Sequence, residues 1–125
     1  MIYGIGADIL RVSRIEKVYA RHGERFLDHL LHPRERKAFA AQRKSALFLA
    51  KAFAVKEAFV KALGTGFRGV AHEDVGSVRV RYGQPQLVFS ARLEKKLAKL
   101  GILRTHLSLS DDGDWVCAMV VLERE

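Results

Sequence analysis

The run from Phe48 to Gly66 limits the fold more than any other stretch, because it predicts one long helix with a polar face. Its residues are FLAKAFAVKEAFVKALGTG. At about 100° per residue, apolar side chains form one stripe, while Glu57 and Lys61 lie roughly opposite among alanines. The alanines would let another strand or a ligand approach Glu57. Together with Lys56 and the Gly64-Thr65-Gly66 turn, this face predicts a site for a phosphorylated ligand.

A second constraint comes from the strand that the sequence predicts at Ile2 to Ile9. The odd positions of this strand are apolar, whereas the even ones include Gly4 and Gly6 and lead to Asp8. Interior glycines weaken a strand, so this bare face predicts a close approach by another part of the molecule or by a ligand. Asp8 would stand at the end of that face.

The rest of the pattern predicts an α+β fold, with helices packed on a mostly antiparallel sheet. Ser13-Arg14-Ile15-Glu16 has the form of a capping box that opens a helix toward Gly23, and the helix resumes beyond it. Pro33 predicts a further helix through about Gln42. The second half predicts strands over 77–82, 86–89, 106–110 and 115–122, a helix over 90–100 and a hairpin turn at 111–114.

Length, composition and charge limit the class of protein. The chain has 125 residues, 49% of them hydrophobic, which predicts a single domain over residues 1–125. A formal charge of +8 favours an anionic partner, which could be nucleic acid, a phosphorylated cofactor, an acidic protein or a membrane surface. No run reaches the roughly 18 apolar residues of a membrane span, and no targeting segment opens the chain. We therefore expect a cytoplasmic protein.

Asp8 and Glu57 each have an ordinary structural explanation when taken alone. A carboxylate after a strand often accepts hydrogen bonds from turn amides, and an exposed Glu57–Lys61 pair adds about 0.2–0.5 kcal/mol to a helix. Taken together, the two acids suit Mg²⁺, which takes one or two protein carboxylates plus water and substrate phosphates. Lys61 would then neutralise a phosphate. Gly64 and Gly66 would let backbone amides approach it, although they are also typical of a helix C-cap.

A glycine pattern at residues 64–69 formally matches G-x-G-x-x-G. The dinucleotide fingerprint must follow a strand and open a helix, whereas this copy follows a helix. The context therefore argues against a Rossmann or P-loop enzyme.

A basic stripe follows one face of the first helix at Arg14, Lys17 and Arg21, and Arg25 extends it if the helix resumes after Gly23. Val18 lies at its edge and could add an apolar contact. The stripe is either a solvated face or a docking surface for an acidic partner.

These motifs resemble those of the holo-acyl-carrier-protein synthases, the small bacterial 4'-phosphopantetheinyl transferases. The resemblance covers nearly the whole chain in four ordered segments: GIGADILRVSRIE at 4–16, FLAKAFAVKEAFVKALGTG at 48–66, GQP at 83–85 and SLSDDGDWVCAMVVLE at 108–123. It implies a 4'-phosphopantetheinyl transferase-like fold and a Mg²⁺-dependent enzyme of fatty acid biosynthesis. Such an enzyme moves 4'-phosphopantetheine from coenzyme A to a serine of apo acyl carrier protein and releases adenosine 3',5'-bisphosphate.

The resemblance also implies roles for single residues. Asp8 and Glu57 would bind Mg²⁺ with the coenzyme pyrophosphate, Lys61 would contact phosphate, and Glu57 would help to activate the attacking hydroxyl. Its implied coenzyme-binding residues are Arg43, Lys44, Glu57, Lys61, Gly64, Thr65 and Pro85. Its implied docking residues for the acidic carrier protein are Arg14, Val18, Arg21 and Arg25. Relatives are homotrimers with sites between subunits, so one chain need not hold a complete pocket.

Two positions depart from the pattern of many relatives. Ala52 stands where many have arginine, so one phosphate contact is lost or comes from elsewhere, with Arg43 and Lys44 as alternatives. Asp111 stands where many have histidine, so a histidine contact is not carried over.

Two other functions are compatible with parts of the sequence. A basic domain could bind nucleic acid without chemistry, but no aromatic stacking motif accompanies the charge, and we expect no nucleic acid partner. An adaptor that only docks an acidic protein would leave Asp8 and Glu57 without a shared purpose. The sequence therefore favours the transferase.

Overall fold

The structure is a computed structural model that describes residues 1–43 and 45–125. Within these residues the strands and α-helices are β1 (Ile2–Arg11), α1 (Val12–His22), α2 (Glu24–Leu30), α3 (Pro33–Ala41), α4 (Ala46–Leu63), β2 (Val75–Arg79), β3 (Pro85–Phe89), α5 (Ala91–Lys99), β4 (Ile102–Asp112) and β5 (Trp115–Arg124). One sheet has the order β1-β5-β4, and β2 pairs with β3. All of these pairings are antiparallel, which confirms the predicted α+β class.

The three-stranded sheet has one buried face, and α4 packs against it. Alternate residues of the central strand β5 are fully or almost fully buried on this face. They are Val116, Ala118, Val120 and Leu122. The period of two places the intervening side chains on the opposite face of the sheet. The helical first half of the chain and the sheet therefore share one apolar core.

The bare face of β1 lies directly on the backbone of α4. A Cβ atom added to Gly6 would come within 2.0 Å of the Ala58 carbonyl oxygen, and one added to Gly4 within 1.9 Å of the Ala62 oxygen. Only glycine can occupy either position without moving the helix. This crossing of β1 over α4 confirms the close approach predicted from the glycines, and the approaching element is the alanine-rich helix.

Helix α4 has a defined start and end. The Ser45 hydroxyl accepts a hydrogen bond from the Phe48 amide at 3.1 Å, and Gly64 ends the helix in the left-handed region with φ 86°. The Gly64 amide donates to the Val60 carbonyl oxygen at 3.0 Å. Among the residues that the structure describes, no helix is long and apolar enough to span a membrane.

The capping box predicted at Ser13 is wrong. Helix α1 follows β1 directly, and no side chain caps it at Arg11. The Asp114 carboxylate, from the turn between β4 and β5, instead accepts hydrogen bonds from the Ser13 amide at 3.0 Å and the Ser13 hydroxyl at 2.7 Å. The first helix is therefore held by a contact that is remote in sequence.

The strand predicted at 77–82 is displaced. Strand β2 covers Val75–Arg79, and a 3₁₀ turn at Arg81–Gly83 follows it. Tyr82 and Gly83 both have positive φ, at 59° and 73°. The chain must reverse at this point to reach Pro85, and this reversal overrides the apolar alternation that favoured a longer strand.

We expect Gly6→Ala to destabilise the protein by more than about 3 kcal/mol, because its methyl group would meet backbone rather than a movable side chain. Gly101→Ala is the control. Unlike Gly6, Gly101 lies in the left-handed region, at φ 75°, and nothing lies within 4 Å of an added Cβ, so only about 1–2 kcal/mol of backbone strain is expected. Urea unfolding measures both changes, and equal losses would contradict the crossing.

Candidate active site

The crossing of β1 over α4 brings Asp8, Glu57 and Lys61 together. The Lys61 ammonium lies 3.2 Å from Asp8 Oδ1 and donates a hydrogen bond to the Ala7 carbonyl oxygen at 3.0 Å. The Asp8 side chain is 16% exposed, whereas that of Lys61 is 53% exposed. Lys61 therefore links α4 to β1 while its side chain stays accessible to a ligand.

Glu57 lies four residues before Lys61 on α4, so it shares the helix face that carries Lys61 to Asp8. Burial raises the pKa of the Glu57 carboxyl above its ordinary value, and the negative charge of Asp8 raises it further. Lys61 and Arg14 oppose this shift. The two carboxylates therefore repel each other in a partly desolvated position, which a bound cation would relieve.

The donor set fits a hard divalent cation. Asp8 and Glu57 offer only carboxylate oxygens, and no cluster of three or more His, Cys, Asp or Glu suited to a metal occurs within 1–43 and 45–125. Structural zinc sites are usually closed by four nitrogen or sulfur ligands. Mg²⁺ accepts one or two carboxylates and fills its remaining positions with water and substrate phosphates. The pair is therefore suited to Mg²⁺ and a phosphorylated substrate.

Lys56 does not belong to this site, which corrects the prediction that it faces the ligand. Its side chain is fully buried and pairs with Glu35, the two charged atoms being 2.6 Å apart. Burial lowers the pKa of Lys56, and the charge of Glu35 opposes that shift. Adjacent helix residues point about 100° apart, so Lys56 faces α3 and β2 while Glu57 faces β1.

The loop after α4 begins beside Lys61. Gly64 and Gly66 have φ of 86° and 61°, and the Thr65 hydroxyl donates to the Gly66 carbonyl oxygen at 3.0 Å. All three residues are exposed. The Gly64 amide is already bonded within the helix, so Gly64 serves as the C-cap.

An aromatic stack that the sequence analysis missed lies near Glu57. The Arg14 guanidinium sits 5.7 Å from the Phe53 ring centroid, and Phe53 stacks on His72 at 5.9 Å. His72 stacks in turn on Phe67 at 3.8 Å. A small cleft of about 130 Å³ adjoins Phe53 and is also lined by Phe26. The helical period alone could not separate these aromatics from core residues.

The basic stripe is accessible to solvent. Arg14, Lys17, Arg21 and Arg25 are exposed, and Val18 is partly buried. None of the four cations pairs with a carboxylate in the described part of the chain. The stripe therefore presents positive charge along α1, from Arg14 to Arg21, and continues onto α2 at Arg25.

The predicted coenzyme contacts near Ala52 are only partly described. Arg43 is exposed in the turn after α3, and Lys44 lies outside the described residues. Ala52 is buried at 3% exposure and lines a cleft of about 150 Å³ together with Lys51. Asp111, the second departure, pairs with Lys51 at 3.1 Å and so ties the β4–β5 hairpin to α4.

Pro85 lies in a different cleft from the acidic pair. This cleft, of about 220 Å³, runs between β3 and β4, where Pro85 lies close to Thr105 and His106. His106 Nε2 is 2.6 Å from the Glu123 carboxylate. Neither Asp8 nor Glu57 lines this cleft. No sequence pattern pointed to Thr105 or His106, because His106 begins an ordinary predicted strand and Thr105 directly precedes it.

Comparison with known proteins identifies the family. The family model for the 4'-phosphopantetheinyl transferase superfamily matches residues 4–120. The chain belongs to this superfamily. This match confirms the resemblance found in the sequence motifs. It also confirms that the chain is an enzyme.

Individual relatives are similar to this chain over nearly their full length. A holo-[acyl-carrier-protein] synthase from Thiobacillus denitrificans is 46% identical and matches 99% of this chain and 95% of its own. The crystal structure of the Neisseria meningitidis synthase has a TM-score of 0.95 and 42% identity, over 99% of this chain and 100% of that one. The Bacillus anthracis synthase in complex with CoA (3',5'-ADP) has a TM-score of 0.82 and 33% identity, over 100% and 99%. The expected transferase fold is therefore confirmed.

We expect Glu57→Gln to stabilise the metal-free protein at pH 7.5 and to have no such effect below about pH 4. The folded protein holds the Glu57 proton more tightly than the unfolded chain, whose ordinary pKa is 4.5. The cost of ionising this group in the folded state therefore appears as the pH rises past 4.5. Thermal unfolding at both pH values, with chelator present, measures the difference.

Glu16→Gln, on the exposed surface of α1, is the control and should change stability by less than about 0.5 kcal/mol. Equal stabilities of wild type and Glu57→Gln at pH 7.5 would show that neither burial nor Asp8 disfavours the Glu57 charge in the folded protein.

Proposed function

We propose that this chain transfers 4'-phosphopantetheine from coenzyme A to a serine of an apo acyl carrier protein, in a reaction that needs Mg²⁺. The observation that carries the proposal is the meeting of Asp8 and Glu57 beside Lys61 at the crossing. The names of the relatives and the coenzyme in the Bacillus anthracis structure support the substrates. These substrates would place the enzyme in the cytoplasm and in fatty acid biosynthesis.

Each residue of the site has a distinct task in this proposal. Asp8 and Glu57 hold Mg²⁺, which supplies positive charge for the pyrophosphate when bound. The carrier serine attacks the β-phosphorus, and the bond from that phosphorus to the bridging oxygen breaks, releasing adenosine 3',5'-bisphosphate. Glu57 helps to remove the serine proton as a general base. Lys61 neutralises charge that develops on the phosphate oxygens.

We assign the remaining coenzyme contacts to two regions. The exposed turn at Gly64 and Thr65 continues from Lys61 and would cradle the coenzyme near the phosphates. Arg43, with Lys44, would supply phosphate contacts in place of the arginine that Ala52 replaces. Pro85 would contact the coenzyme from the separate cleft beside Thr105.

We further propose that residues 1–125 form one catalytic domain that works as a homotrimer. The outer face of the sheet carries large apolar side chains that remain exposed within one chain: Ile5 at 60%, Ile9 at 63%, Trp115 at 43% and Met119 at 46%. A contiguous apolar patch of this kind is typical of a subunit interface. Because Pro85 and the acidic pair lie in different places, a neighbouring subunit could bring the two halves of a site together.

The proposal is tested by incubating the protein with apo acyl carrier protein, coenzyme A and Mg²⁺ and measuring the intact mass of the carrier. We expect the mass to increase by one phosphopantetheine group on the carrier serine, and chelator to prevent the change. An unmodified carrier, in the presence of folded protein and an active control synthase, would refute the function.

Asp8→Ala and Glu57→Ala should each abolish measurable transfer while leaving the protein folded, because each removes one of two metal ligands. The same mass assay gives the rate, and circular dichroism checks the fold. Lys95→Ala, on the exposed side of α5, is the control and should retain wild-type activity. Full activity in either acidic variant would exclude an essential metal role for that residue.

The basic stripe is the proposed dock for the acidic carrier, with Arg14, Val18, Arg21 and Arg25 as its contacts. Arg14→Glu should weaken carrier binding about tenfold or more, because it replaces attraction with repulsion at one contact. Lys95→Glu makes the same change of charge on α5 and should have little effect. Surface plasmon resonance with apo carrier compares the two, and equal affinities would refute the docking site.

A further inference from the structure

The side of α4 that faces away from Asp8 holds a buried ion pair that the proposed reaction does not use. The Lys56 ammonium lies 2.6 Å from Glu35 Oε1 and also donates to the Val75 carbonyl oxygen. The Glu35 carboxylate accepts two more hydrogen bonds, from the His32 amide at 3.1 Å and the Ser77 amide at 3.0 Å. Helices α3 and α4 and strand β2 therefore meet at one buried carboxylate.

Strand β2 passes directly over this ion pair at Gly76. A Cβ atom added there would lie 2.7 Å from the His32 Cβ and 3.0 Å from the Glu35 carboxyl carbon. Charge-assisted hydrogen bonds are short and directional. The contacts therefore fix where Lys56 points, and not only how far α4 lies from its neighbours.

On the opposite side of α4, Gly4 and Gly6 lie against the backbone at Ala58 and Ala62. The side-chain hydrogen bonds that join this side to β1 come from the exposed Lys61, which donates to Asp8 and to the Ala7 carbonyl oxygen. The Lys56–Glu35 pair is instead fully buried and joins α4 to α3 and β2, so solvent does not screen its restraint on the rotation of the helix. That rotation decides where Glu57 points.

We propose that Lys56 and Glu35 are positioning residues, which fix the rotation of α4 and so hold Glu57 in line with Asp8. This inference rests on the proposed metal-binding function. Side-chain tips lie about 5–6 Å from a helix axis, so a rotation of about 10° would move the Glu57 carboxylate by about 1 Å. Mg²⁺ demands near-octahedral geometry at about 2.0–2.1 Å, and a misplacement of this size can cost about 100-fold in rate.

A structural role alone would be a weaker explanation of the pair. Replacing a buried ion pair by neutral groups of similar volume often leaves stability unchanged or raises it, whereas removing one partner leaves an unpaired charge. The double variant Lys56→Met with Glu35→Gln therefore separates the two roles. It removes both charges, keeps the volume and leaves an amide oxygen for the Ser77 amide.

The experiment measures binding of Mn²⁺ to the metal-free full chain by electron paramagnetic resonance, with thermal unfolding in parallel. Glu35→Asp is the second variant. It keeps both charges but shortens the side chain by one methylene. It tests the positioning role if the double variant does not fold. Leu93→Ala, a cavity variant in α5, is the control for lost stability.

We expect the folded positioning variants to bind Mn²⁺ about 10–100-fold more weakly, the usual effect of removing groups that orient metal ligands. Their kcat should fall while KM for the carrier is unchanged, and Leu93→Ala should bind Mn²⁺ like wild type. Wild-type affinity in the folded positioning variants, or an equal loss in Leu93→Ala, would overturn the inference. Wild-type protein that binds no Mn²⁺, or binds it equally well after Asp8→Ala, would overturn the proposed function instead.

Discussion

The crossing of β1 over the backbone of α4 is the contact on which the rest of the molecule depends. Gly4 and Gly6 allow a strand to lie against helix carbonyl oxygens, where any side chain would clash. The same contact closes the core between the sheet and the helices, and it places Asp8 at the end of the strand beside Glu57 and Lys61. Packing and chemistry are therefore set by the same pair of elements.

The charges at this crossing favour ligand binding over stability. Asp8 and Glu57 repel each other in a partly buried place, and Lys61 neutralises only part of that charge. Groups that destabilise the free protein in this way are common at functional sites, where a ligand relieves the strain. A cation between the carboxylates and a phosphate beside Lys61 would both be attracted by the arrangement.

Much of this site could be predicted because its signals are local and periodic. Glycines at alternate strand positions predict a close approach, and a helix period of 3.6 separates Glu57 from the apolar stripe. Lys56 was misplaced because periodicity shows which face a residue lies on but not which neighbour covers that face. Its partner Glu35 is 21 residues away on another helix.

The other incorrect predictions also arose because contacts remote in sequence determine the local structure. Asp114 holds the start of α1 across 101 residues of sequence, a contact that no local capping rule could detect. Tyr82 adopts a left-handed conformation because the chain must reverse before Pro85, although tyrosine favours strands. The cleft beside Thr105 and His106 likewise depends on the approach of β3 to β4, two strands that belong to different sheets.

We propose above all that Asp8 and Glu57 share one divalent cation. Crystals grown with Mn²⁺ and coenzyme A, measured at a wavelength where manganese scatters anomalously, test it most directly. We expect one strong anomalous peak within coordination distance of oxygens from both carboxylates, with coenzyme phosphate oxygens completing the shell. A peak bound to only one of the two carboxylates, or no peak between them with coenzyme A present, would contradict it.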